Sequence, residues 1–85
     1  MGKYDPLTDF LRRQLGNRVQ ISFEQMEDAD IIGIVLPRSA KERREWWGNE
    51  TSAQTRHKQC LSWLQAGYQV ETVDLSEEFV VFVRT

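Results

Sequence analysis

Apolar residues in the first fifteen positions recur at spacings of three and four. Tyr4, Leu7, Phe10 and Leu11 therefore share one face of a helix. Asp5 suits the cap of that helix, Pro6 its first turn, and Gly16-Asn17 its stop. The period then shortens to two across "RVQIS", where Val19 and Ile21 fall on one side of a short strand. Ser22 opens "SFEQ", a capping box with Gln25, so a short acidic helix should follow with Phe23 and Met26 inward. That helix is expected to break near Asp30 or Gly33. The next run, "IIGIVLP", is apolar throughout, but Gly33 and Pro37 punctuate it, and an apolar turn is expected there.

Ser39 begins "SAKE", a second capping box with Glu42, and a third helix is expected to run to about Trp47. On it Ala40, Arg43 or Arg44, and Trp47 would share a face. Trp47 should be buried against Trp63, leaving Trp46 partly exposed. A fourth helix is expected to start within residues 52–56 and to end at Ala66, with Gly67 as a left-handed stop and Cys60, Leu61, Trp63 and Leu64 as its apolar stripe. Asn49 and His57 should hold the turn between these last two helices. "YQVETVDL" and "EFVVFVR" are β-branched and aromatic, and read as an antiparallel hairpin turning at Ser76-Glu77.

The resulting order, α-β-α-α-α-β-β with a C-terminal antiparallel hairpin, describes a small α+β domain laid out like a winged helix-turn-helix, with one extra helix before the hairpin. Residues 18–22 should pair with a hairpin strand, because a lone hairpin is marginal in water. A single domain over residues 1–85 accommodates the whole pattern.

Composition narrows the class. With 40% apolar and 28% charged residues the chain is an ordinary globule, and no apolar run approaches a membrane span, so no membrane partner is expected. The opening "MGKYDPLTDF" lacks the apolar region of a signal peptide. The one cysteine, Cys60, cannot form an internal disulfide, and a cytoplasmic location is expected. Charge is uneven: residues 38–58 hold six cations against three carboxylates, a net of +3, so the rest of a chain of net charge −2 carries −5. Such a local positive field can orient a polyanion; a solvated helix laced with Glu–Arg pairs has the same composition.

The residues also carry a resemblance. Tyr4, Leu7, Phe10 and Leu11 fit a Tyr-x-x-Leu-x-x-aromatic-Leu pattern; Ile21, Ser22, Phe23, Met26 and Glu27 fit Leu-Ser/Thr-Phe-x-x-Ile-Glu. Leu36, Pro37, Ser39, Ala40, Trp46, Trp47 and Asn49 fit Leu-Pro-x-Ser-Ala-x5-Trp-Trp-x-Asn. His57, Trp63, Ala66, Gly67, Tyr68 and Val70 continue it, and Val80, Phe82 and Arg84 end it. In these positions the chain resembles an uncharacterised bacterial domain family, a domain of unknown function. Met26 stands where that pattern has Ile, Tyr68 where it has Trp, and "DADIIGIV" departs from its Leu-Gly turn. The resemblance implies a fold and no activity.

Catalytic chemistry has little footing. One His and one Cys cannot build a four-ligand zinc site, no phosphate loop or Ser-His-Asp set occurs, and Cys60 lies on an apolar stripe. No catalytic residue, metal or other cofactor is expected, and the protein is read as a non-enzyme. The leading reading is nucleic-acid binding, with duplex DNA as partner. Arg38, Ser39, Lys41, Arg43 and Arg44 would act from the third helix, while Arg56 and Lys58, beside His57, would make a second backbone contact. Glu42, Glu45 and an isoelectric point near 5.3 oppose it. The rival is a small protein-interaction module, an inhibitor or adaptor of phage or mobile-element type, whose Asp28, Asp30, Glu77 and Glu78 would meet a basic protein partner.

Overall fold

The computed structural model describes residues 3–49 and 59–85. Helix α1 spans Asp5–Arg12. Tyr4 takes the cap position expected for Asp5, and Asp5 and Pro6 form the first turn, where a missing N–H costs nothing and a carboxylate suits the helix dipole. Leu7 and Leu11 are buried. The helix closes at Arg13, ahead of Gly16, as the Arg13 amide bonds the Phe10 carbonyl.

Strand β1, Arg18–Ser22, leads directly into α2, Phe23–Glu27, through the expected capping box. The Gln25 amide donates to Ser22 Oγ at 3.0 Å, and the Ser22 amide donates to Gln25 Oε1 at 2.9 Å. Phe23 and Met26 are buried, as their spacing implies. The helix stops at Glu27, earlier than expected, because the Met26 carbonyl accepts from the amides of Gly33 and Ile34 and draws the chain back. Gly33 makes that reversal at φ +86°, where a Cβ would also sit 3.3 Å from the Ala29 Cα. Ile32, Ile34 and Leu36 then point inward in alternation, while Ile31 and Val35 face water.

Helix α3 spans Arg38–Glu42, a 3-10 turn follows at Arg44–Trp47, and α4 spans Gln59–Leu64. The expected start of the fourth helix, residues 52–56, lies outside the described residues. Of its expected stripe, Cys60 and Trp63 are buried and Leu64 half-buried, but Leu61 is 41% exposed. The buried Thr8 hydroxyl, donating to the Ser62 carbonyl at 2.7 Å, draws α1 over the Ser62 side of α4 and leaves Leu61 at the margin. Gly67, at φ +85°, makes the turn into the hairpin.

Strands β2, Tyr68–Asp74, and β3, Phe79–Arg84, form that hairpin, and β1 pairs with β3, so the antiparallel order is β1-β3-β2. Ile21 lies opposite Val80 and Val19 opposite Phe82, as a strand over residues 18–22 was expected to do. Among the described residues this is a small α+β fold of four α-helices and a three-stranded sheet. No described helix is long and apolar enough to cross a membrane.

Four aromatic rings run through the core. Phe23 stacks on Trp47 at 5.6 Å, Trp47 on Trp63 at 5.7 Å, and Trp63 meets Phe82 at 5.7 Å. Ring pairs at these separations add to the area they bury. Both buried indole N–H groups are satisfied: Trp47 donates to the Ala40 carbonyl at 2.8 Å and Trp63 to Asn49 Oδ1 at 2.9 Å.

Candidate nucleic-acid interface

The "SAKE" box does not form. Pro37 holds the cap position and Arg38 the first helical one, so Ser39 sits inside the first turn without a capping bond. Glu42 is drawn to Arg38 instead, its Oε1 2.8 Å from Nε. Nor does the helix reach Trp47. Arg43 is extended, at φ −129° and ψ 123°, and the chain resumes as the 3-10 turn. A continuous α-helix would set Trp46 and Trp47 about 100° apart. The break turns both rings inward: Trp47 into the stack, and Trp46 edge-on to Tyr4 at 5.8 Å and to Trp47 at 4.6 Å. Trp46 stays half-exposed.

The cations expected to act together have different fates. Arg38 projects into water with 87% of its side chain exposed, in an i,i+4 pair with Glu42. Lys41 Nζ lies 2.8 Å from Glu27 Oε1 on α2. Arg44 reaches across to the sheet, where it donates to the Val73 carbonyl at 2.7 Å. Arg43 is exposed and, with Ser39, Glu45 and Trp46, lines a concavity of about 420 Å³. Arg56 and Lys58, with His57, lie outside the described residues.

Asn49 ties the end of the 3-10 turn to α4, as expected of it, and also reaches the sheet. Its Oδ1 accepts from the Trp63 indole and from the Val70 amide at 2.9 Å, and its Nδ2 donates to the Val70 carbonyl at 3.0 Å. One side chain thus joins α4 to the outer edge of β2, as a pairing strand would.

A second concavity, of about 500 Å³, has the opposite charge. Phe23, Glu24, Glu27, Asp28 and Glu78 line it with Lys41. Of the four acidic residues expected to mark an interaction face, Asp28 and Glu78 meet there. Asp30 and Glu77 do not line it; their amides bond Asp28 Oδ1 and Asp74 Oδ1. Among the described residues no three of His, Cys, Asp or Glu are grouped to hold a metal, so the cleft offers charge without a coordination site.

Sequence reasoning missed a third charged region. Antiparallel pairing sets Arg18 beside Val83 at one end of the sheet and Ser22 beside Phe79 at the other. Arg12, Arg13 and Arg18 flank the loop at the first end, while Asp74, Glu77 and Glu78 crowd the second. The available signal was the run "RRQLGNR", with three arginines and no carboxylate.

Comparison with known proteins gives a family and no activity. The family model described as "Domain of unknown function (DUF7662)" matches residues 4–85, and the chain belongs to that family. No curated protein and no solved structure matches it.

Proposed function

We propose that this member of the DUF7662 family is a non-enzymatic winged-helix module of the bacterial cytoplasm that binds duplex DNA with the surface around α3. The sheet order β1-β3-β2, with a helix ahead of the hairpin, supports the winged plan. The observation that carries the reading is the concavity shared by Ser39, Arg43, Glu45 and Trp46, in which the Glu45 carboxylate works against an anion and Arg43 for it. A hydroxyl and a guanidinium there supply donors and positive charge for a phosphate, and the half-exposed indole supplies an apolar wall for the adjoining sugar. Arg38 belongs to the same surface. Its exposed pair with Glu42 is worth at most about 1 kcal/mol, so a phosphate can displace the carboxylate. Lys41 and Arg44 contribute field more than contact, since each already has a partner within the fold. Arg56 and Lys58 enter the reading from the sequence alone.

The test is an anisotropy titration of a labelled duplex at two salt concentrations. Arg38→Glu/Arg43→Glu should weaken binding by tenfold or more and flatten the log–log salt slope by about 2. Binding and slope unchanged from the wild type would remove α3 from the interface.

One observation favours a second reading. The cleft lined by Glu24, Glu27, Asp28 and Glu78 suits a basic segment of a protein partner, whose apolar stem would rest on Phe23. An oligolysine peptide should then bind the wild type and lose affinity for Glu24→Lys/Asp28→Lys, with duplex DNA left unbound. DNA binding with no peptide binding decides for the first reading.

A further inference from the structure

Leu15 is 98% exposed, in the loop between α1 and β1. The loop is not loose. Arg84 Nη2 donates to the Gln14 carbonyl at 3.0 Å and to the Gly16 carbonyl at 3.4 Å. The Tyr68 hydroxyl donates to the same Gly16 carbonyl at 2.7 Å, and the Arg84 amide donates to the Asn17 carbonyl at 2.8 Å. Arg84 is itself held over the buried Tyr68 ring, 4.7 Å from its centroid. Three donors thus hold the carbonyls of Gln14, Gly16 and Asn17, on both sides of Leu15.

We propose that this loop is an apolar wedge which enters the minor groove of duplex DNA, with Arg12 and Arg13 on the flanking phosphates. The inference rests on the DNA-binding reading above and adds a second contact to it. Leu15 is followed by Gly16, which has no side chain, and by the exposed Asn17, so the crest is narrow. The minor groove is about 6 Å wide, and wedges of this kind combine an apolar side chain with Arg or Asn around it. Charge complementarity selects the occupant: residues 12–18 carry three arginines and no carboxylate. Arg18 pairs with Glu71 at 2.7 Å, which leaves Arg12 and Arg13 for phosphate; Asp9 lies one helical turn behind them. A lipid surface fits less well. One leucine offers little area to a bilayer, and the leucines of α1, Leu7 and Leu11, are buried.

The experiment uses an A·T-rich duplex with 2-aminopurine beside a flexible TA step, whose emission rises when the step unstacks. Wild-type protein should raise that emission. Leu15→Ser should remove the rise and weaken binding severalfold with the salt slope kept, and Leu15→Phe should restore the rise. Arg12→Ala/Arg13→Ala should lower the salt slope by about 2. These positions are exposed, so melting temperatures should match the wild type. If Arg38→Glu/Arg43→Glu abolishes binding while the loop variants behave as wild type, the wedge is overturned and the α3 reading stands. If wild-type protein binds no duplex, both fall. Preference of the wild type for vesicles of anionic lipid over DNA overturns the wedge in favour of a membrane contact.

Discussion

Residues 38–43 and 44–49 are neighbours in sequence and opposites in structure. The first group holds α3, where only Ala40 is buried, and its charged side chains face water, one another or, for Lys41, Glu27 of α2. The second sends Arg44, Trp47 and Asn49 inward or across, to Val73, to the aromatic stack, and to Trp63 with Val70. Twelve residues divide at Arg43 into a presented surface and a fastening. The difference teaches that charge alone did not decide a residue's role here: Arg43 and Arg44 are chemically identical, yet one lines an open concavity and the other is a strut.

The sharpest way to break this contrast is to remove a fastened aromatic. Trp63→Ala should cost about 3–5 kcal/mol, which can exhaust the stability of a chain this small. Urea unfolding followed by circular dichroism would show a shifted or absent transition, and a near-normal midpoint would refute the stack as the organising core. Next in size, Asn49→Ala strands the part-buried Trp63 indole N–H and leaves both exposed polar groups of Val70 to water, at about 2 kcal/mol. The same urea experiment checks it, and Asn49→Asp, which keeps the acceptor and loses the donor, should fall in between. Arg44→Ala should cost about 1 kcal/mol through the lost bond to Val73, with DNA affinity changing little. A large loss of DNA affinity without loss of stability would reassign Arg44 to the presented surface. Smallest in stability is Arg38→Ala, within about 0.5 kcal/mol, because exposed i,i+4 pairs contribute little. Its expected effect is on the duplex titration instead.

The same contrast explains what was legible beforehand. The Ser22 box, the strand over residues 18–22, the hairpin and the burial of Trp47 and Trp63 all follow from local pattern, and all are present. Ser39-x-x-Glu42 matches the same pattern as Ser22-x-x-Gln25 and fails. There Pro37 starts the helix two residues earlier, and Arg38 supplies Glu42 with a better-charged partner than a backbone amide. The tasks of Arg44 and Asn49 depend on partners 29 and 21 residues away, which no periodicity encodes. Leu15 stands four residues after Leu11, in register with the stripe of α1, and only the helix's end at Arg12 and the clamp beneath the loop take it off the core. The proposed interface was thus legible in its residue types and not in its grouping.

The bonds that Asn49 and Arg44 make to Val70 and Val73 bear on how readily the edge of this sheet can pair with another molecule. An uncovered run of strand amides recruits strands from other molecules, and repetition of that event leads to fibrils. With the β2 margin occupied by two side chains, the short β1 margin is, among the described residues, the one left for such growth to start from. A variant lacking Asn49 would therefore acquire a second adhesive margin together with its lost stability, and a molecule with two can polymerise end to end where one with a single margin stops at a pair.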